Sequence, residues 1–230
     1  MRWLVAEKFY ELLRANQHKI EQIAIVGGSS LDPEAIALNE TYPNSVIHYL
    51  GIDNYGREEN WFEFNLNEPS ALIHKFDLVV CSQVLEHIWD MQQAFQNLFN
   101  LAQPSGLIWL NCPASNIAHG SPDYYSAGYT PEYLDKNMSK HAITTIESGV
   151  IGSKRYYRST HIFRLWATKA EHNHPLLGYR IPKPITKGKI LEFCKRVPGR
   201  IVIMTWDRKI TSNIDYATET YYFGKAKLHD

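Results

Sequence analysis

The chain has 230 residues, and its 24 lysines and arginines balance 24 aspartates and glutamates, so the formal charge is zero. Hydrophobic residues at 44% and charged residues at 21% describe a folded globular chain and exclude wholesale disorder. Zero net charge removes any global attraction to nucleic acid or to an anionic membrane surface.

The length suits a single domain over residues 1–230: an N-terminal helix (1–20), a core (21–150) and a C-terminal part (151–230). No apolar run reaches the roughly 18 to 20 residues of a membrane helix. Glu7, Lys8, Glu11 and Arg14 fall too early for the apolar core of a signal peptide. Cys81, Cys112 and Cys194 are odd in number and widely spaced, which fits a reduced cytoplasm better than a disulfide framework. A cytoplasmic protein with no nucleic-acid or membrane partner is expected; a homo-oligomer stays open.

Leu4, Val5, Phe9, Leu12 and Leu13 recur at helical spacing, so an amphipathic helix is expected over about residues 3–16. Residues 22–26, QIAIV, read as a strand apolar along its length, which suits the middle of a parallel sheet. Gly27 and Gly28 stop it. Asp32 is a good N-cap, Pro33 is tolerated at the first helical position, and Glu34 favours the positive end of the helix dipole. A helix to about Asn39 follows.

Residues 46–52 read as a second strand ending on Asp53, residues 60–65 as a short third, and residues 76–81 as a fourth. A helix is expected over 91–101, a turn at 103–106 and a fifth strand over 107–111, closed by Pro113. Strand, turn, helix and strand in repetition predict parallel βαβ units with helices on both faces of one sheet. Thr130, Pro131 and Glu132 resemble a helix start, and 142–147 can form a strand. A poorly patterned helix is read over 156–170, a proline-rich insertion over 171–200, and final strands over 201–206 and 218–223. His172 and His174 read as a short exposed loop. The basic run Lys154, Arg155, Arg158, His161 and Arg164 reads mainly as a solvated helix face.

In an open parallel sheet, ligands lie beyond the carboxyl ends of the strands. Here those ends carry Gly27, Gly28 and Ser29; Asp53; Cys81, Ser82 and Gln83; and Asn111 with Cys112. Paired glycines let the backbone turn tightly and approach a ligand. No lysine follows, which excludes a P-loop, and the later glycines of GxGxxG are missing, which disfavours a dinucleotide. Asp53 can accept both hydroxyls of a ribose or cap the turn that follows. His119, with Asp123 four residues on, and His87, beside Glu86, are candidate bases; either can instead be a structural histidine bonded to a loop carbonyl. Asp53, His87, His119 and Asp123 are the conceivable metal ligands, but no spacing among them is diagnostic, so no metal is expected. Tyr124, Tyr125, Tyr129 and Tyr133 can stack on a sugar ring or simply pack.

The stretch FDLVVCSQVLEHI at residues 76–88 resembles the class I S-adenosylmethionine-dependent methyltransferases, in their small-molecule and glycan-modifying, type 11-like branch, where FDxVxxxxVLEH marks the fourth strand. Residues 64–69, FNLNEP, resemble the segment that reaches the adenine; residues 101–107 resemble the turn before strand five. Residues 119–124 with 130–132 resemble a segment of methyltransferases in polysaccharide biosynthesis. The resemblance covers roughly residues 20–135. It implies an α/β, Rossmann-like three-layer sandwich whose seven-stranded sheet is mostly parallel, with one antiparallel strand near the C-terminus. It implies S-adenosylmethionine as cofactor, held by Gly27, Gly28, Ser29, Asp53, Asn65, Leu66, Ser82 and Gln83. A small-molecule or glycan acceptor, such as a saccharide or nucleotide-sugar, would enter over His87, His119, Asp123 and Tyr124.

The chain departs from that pattern at three places. Ile25 stands where the family has an acidic residue in strand one, Asn65 replaces the acid of the adenine segment, and Ser29, Ser30 and Leu31 follow the paired glycines. A non-glycine residue at positive φ costs about 1–2 kcal/mol, so Ser29 either bends the loop differently or weakens binding. Asp32 or Glu34 is the expected substitute for the missing strand-one carboxylate. The rival expectations are a catalytically inactive binding or assembly subunit of the same fold and a nucleotide-sugar or dinucleotide oxidoreductase. The second needs a Tyr-x-x-x-Lys pair, which Tyr133 with Asn137 does not supply.

Overall fold

A computed structural model describes residues 3–16, 19–54, 58–115, 123–152 and 217–227. In chain order these form α1 (Trp3–Ala15), β1 (Gln22–Val26), α2 (Pro33–Thr41), β2 (Val46–Gly51), β3 (Trp61–Glu63), β4 (Phe76–Ser82), α3 (Met91–Leu101), β5 (Ala102–Pro113), α4 (Pro131–Met138), β6 (Ile143–Ile151) and β7 (Glu219–Ala226). The seven strands make one sheet in the order β3-β2-β1-β4-β5-β7-β6. β1 to β5 pair in parallel, and β7 runs antiparallel to both neighbours. The mostly parallel α/β sheet with one antiparallel strand expected from the sequence is the observed fold.

Strand side chains alternate between the two faces, and the sheet is buried on both. Ile23, Ile25, Leu78, Val80, Leu107 and Trp109 face one layer, where they meet Val5, Phe9, Leu12 and Leu13 of α1 and Ala35 and Leu38 of α2. Ala24, Val26, Val79, Cys81, Ile108 and Leu110 face the other, against Phe95 and Leu98 of α3 and Leu134 and Met138 of α4. Trp109 is fully buried, with ring centroids 5.0 Å from Phe9 and 5.7 Å from Tyr221. Burying one such side chain is worth on the order of 1.5–3 kcal/mol. Lys8 of α1 reaches Glu147 of β6 at 2.8 Å, and Glu147 also accepts from Tyr221 of β7 at 2.6 Å.

Helix starts follow their capping chemistry. Asp90 accepts from the Gln93 N–H at 3.1 Å, and Thr130 accepts from the Tyr133 N–H at 3.2 Å, with Pro131 in the first turn. The sheet's amino-terminal edge is clamped by Asp77, whose Oδ2 accepts from the Glu21 and Gln22 N–H groups at 2.8 Å each.

The structure corrects one local expectation. Residues 103–106 are not a turn ahead of the fifth strand but part of β5, with Ser105 at φ 67° and a register shift against β4 between Phe76 and Leu78. Extra residues are absorbed as a bulge, so the ladder continues. The expected helix over 156–170, the insertion over 171–200, the strand over 201–206, the basic run and His172 with His174 lie outside the described residues. Among the described residues no helix is long and apolar enough to cross a membrane.

Candidate functional site

The tips of β1 and β4 frame a cavity of about 220 Å³ lined by Ile25, Val26, Gly27, Gly28, Asp32, Glu34, Val80, Ser82 and Gln83. Parallel pairing of Val26 with Cys81 brings these tips level. Gly27 takes φ +70°, and a Cβ there would fall 2.5 Å from Val84 Cγ2. A Cβ on Gly28 would fall 2.7 Å from Ile25 Cγ2. The paired glycines are therefore fixed by backbone conformation and by close approach.

The loop after them bends at Gly27, and Ser29 does not take a positive φ. Its amides are already occupied: the Ser29 N–H donates to Asp32 Oδ2 at 2.6 Å, and the Ser30 N–H donates to Glu58 Oε1 at 2.8 Å. With carboxylates on those groups, this loop is no cradle for a phosphate. Asp32 stands at the N-cap position of α2 as expected, but its side chain braces Ser29 and makes no cap hydrogen bond.

Glu34, in the first turn of α2, is 3% exposed and lines the cavity. Its Oε2 meets no hydrogen-bond partner, and neither does the buried Ser82 Oγ. Burial pushes the Glu34 carboxyl above its ordinary value; Ser82 lies near enough to temper that rise but short of a made hydrogen bond. No basic residue is among those lining the cavity. Buried polar atoms without partners call for an explanation, and a ligand group rich in hydrogen-bond donors and positive charge supplies one.

Gly27, Gly28, Ser82 and Gln83 thus come together as expected, with Ser29 adjacent through Asp32. Asp53, exposed at the tip of β2, is not among the lining residues, although its backbone neighbours the bend: a Cβ on Gly51 would lie 3.7 Å from the Asp53 oxygen and 4.0 Å from Gly27 Cα. Next to Asp53, Asn54 Oδ1 accepts from the Glu58 N–H at 2.8 Å. Asn65 uses its amide locally, donating to Glu68 Oε1 at 2.7 Å and accepting from the Asn67 N–H at 3.0 Å. Leu66 turns into the core, and its carbonyl accepts from the buried Asn97 amide at 3.1 Å.

Beyond β4, a 3₁₀ turn over Leu85–His87 carries the second group of candidates. His87 Nδ1 donates to the Asp123 carbonyl oxygen, and its ring meets Tyr124 edge-on at 5.9 Å. A carbonyl only accepts, so Nδ1 bears the hydrogen. Asp123 acts here through its backbone, while its carboxylate accepts from Tyr125 at 3.3 Å. His119, its expected partner, lies outside the described residues. Tyr129 packs: its hydroxyl donates to the Leu85 carbonyl at 3.1 Å, and its ring stacks on Tyr133 at 5.2 Å. Burial pushes the Cys81 and Cys112 thiols far up, so neither is a nucleophile.

Sequence reasoning missed Glu219. It is 3% exposed and accepts from Gln83 Nε2 at 2.8 Å and, more loosely, from Asn111 Nδ2 at 3.4 Å. The available signal was one acid at the head of an apolar strand. Among the described residues no group of three or more metal-ligating side chains forms.

A family model described as a methyltransferase domain matches residues 9–174. No curated protein matches the chain in sequence. Among solved structures, phosphoethanolamine N-methyltransferase 2 of Haemonchus contortus, in complex with S-adenosyl-L-methionine, is similar at 11% identity and TM-score 0.55. The match covers 97% of this chain and 53% of that one, so this chain spans about half its length. A SAM-dependent methyltransferase of Archaeoglobus fulgidus is similar at 11% identity and TM-score 0.54, over 98% of this chain and 94% of the other. An O-methyltransferase from a trans-AT PKS multienzyme of Brevibacillus brevis, in complex with S-adenosyl-L-homocysteine, is similar at 14% and TM-score 0.54, over 95% and 71%. At such identities the likeness is one of fold.

Proposed function

This chain belongs to the methyltransferase domain family, and from that premise we propose that it transfers the methyl group of S-adenosylmethionine to a hydroxyl or amine of a small molecule, preferably a saccharide or nucleotide-sugar. The observation that carries the reading is the pair of unpartnered buried oxygens, Glu34 Oε2 and Ser82 Oγ, facing a cavity beside a glycine bend. S-adenosylmethionine bears an ammonium and a positive sulfur, and Asp32 and Glu34 line that cavity, with no lysine, arginine or histidine among its lining residues. Each hydrogen bond to a charged group is worth about 1.5–3 kcal/mol. Glu34 here takes the place of the strand-one carboxylate that Ile25 lacks, Gly27 and Gly28 admit the ligand's backbone approach, and Asp53 at the neighbouring strand tip serves the ribose.

When bound, S-adenosylmethionine supplies a methyl carbon already activated by its positive sulfur. The protein's task is then mainly alignment, which can supply roughly 7–11 kcal/mol. A base adds a factor of about 10² to 10⁴. His87 is the candidate for that role, its ring held by the Nδ1 bond to the Asp123 carbonyl, and Tyr124 and Tyr125 flank it on the acceptor side. The saccharide preference rests on the resemblance around residues 119–132. The reading takes residues 1–230 as one domain acting in the cytoplasm.

Calorimetry with S-adenosylhomocysteine tests the reading: micromolar binding is expected. The occupied loop amides and the exposed Asp53 favour the second reading, an inactive binding or assembly subunit. No heat at millimolar ligand selects it.

A further inference from the structure

Past the end of β4 the backbone turns through Gln83, whose φ of +57° lies in the left-handed region that residues with side chains avoid. Several contacts hold it there. The Gln83 N–H donates to the Asn111 carbonyl at 2.8 Å, and Nε2 donates to Asn111 Oδ1 at 2.9 Å and to Glu219 Oε2 at 2.8 Å. Asn111 cannot turn its amide over. Its Nδ2 donates to the Thr220 carbonyl at 3.0 Å, and a carbonyl only accepts. Asn111 must therefore show its oxygen to Gln83, and Gln83 must answer with its NH2. Both of those hydrogens are then used, which leaves Oε1. Asn111 and Glu219 are 0% and 3% exposed, so water does not loosen the arrangement.

We propose that Gln83 is a specificity-determining residue of the methyl-transfer site, presenting a fixed carbonyl oxygen so that the group reaching it must carry hydrogen on nitrogen or oxygen. Gln83 lines the cavity on the side of β5 and β7, away from β2. It therefore faces the reacting end of a methyl donor whose nucleoside lies over β1 and β2; the proposal rests on that reading. An amine or hydroxyl that donates to Oε1 keeps its lone pair free for the methyl carbon. A carboxylate or phosphate brings only acceptors and is repelled.

Two ligands of the same site separate the possibilities by calorimetry. S-adenosylhomocysteine has a bare thioether; in sinefungin an amine-bearing carbon replaces that sulfur. The wild-type protein should prefer sinefungin by about tenfold, the ratio that one charge-assisted hydrogen bond supplies. Gln83→Met, of similar length without the oxygen, should bring the ratio near one, and Gln83→Glu should keep the preference. Glu219→Gln, which removes one of the two acceptors that hold the Gln83 amide, should lower it partway; it also keeps the test alive if Gln83→Met fails to fold. A ratio in Gln83→Met equal to that of the wild type overturns the proposal alone, as does a wild-type ratio near one. No binding of either compound overturns the methyl-donor reading and this proposal with it.

Discussion

At the amino-terminal edge of the sheet, Asp77 commits both carboxylate oxygens to the protein: Oδ2 takes the Glu21 and Gln22 N–H groups, and Oδ1 takes the Gln103 amide. At the carboxyl-terminal edge, Glu34 is more deeply buried, yet Oε2 takes nothing. Physics treats these two acids differently. A satisfied carboxylate adds stability, whereas a buried, unsatisfied one costs stability until a ligand arrives. The contrast separates the edge that holds the fold together from the edge proposed to take the ligand.

The sharpest way to break that contrast is Glu34→Leu. If the carboxylate serves the ligand, S-adenosylhomocysteine affinity should fall by about 10- to 100-fold while thermal unfolding of the free protein shifts upward by the equivalent of about 1 kcal/mol. A coupled loss of stability and affinity would make Glu34 a structural acid like Asp77. Next in size, Asp77→Ala should destabilise the protein by about 1–3 kcal/mol in urea titrations and leave S-adenosylhomocysteine affinity within about twofold.

A pH series sharpens the comparison further. Burial raises the Glu34 carboxyl above 4.5 in the folded protein. Its contribution to stability is therefore fully present below the unfolded value and is lost as pH rises through the folded one. Glu34→Gln should flatten that part of the stability profile, measured by urea unfolding at stepped pH. The smallest effect is expected from Asp90→Ala. This acid shares the carboxyl-terminal side with Glu34 but is used up in capping α3. Its loss should cost about 1 kcal/mol and leave ligand affinity alone.

Local pattern made most of this legible. The runs 22–26, 46–51 and 76–82 are short, apolar and bounded by turn residues, and α3 was read with its observed limits, Met91–Leu101. These signals sit within one window of sequence. What escaped depends on contacts between distant residues. Glu34 reads as an acid suited to a helix start, and only the packing of α2 against the strand tips buries it. Asp32 reads as a cap, and the neighbouring Ser29 N–H claims it instead. The bond between Gln83 and Glu219 spans 136 positions, and that between His87 and Asp123 spans 36. Neither has a periodic trace.

The strand order β5-β7-β6 also bears on how the chain assembles during synthesis. β6 leaves the ribosome before β7, and among the described residues its one sheet partner is β7. Meanwhile β5 and β6 both present raw edges, the kind of surface that recruits chaperones or other nascent chains. Because β7 also delivers Glu219, the same late insertion that seals those edges also sets the orientation of the Gln83 amide at the tip of β4.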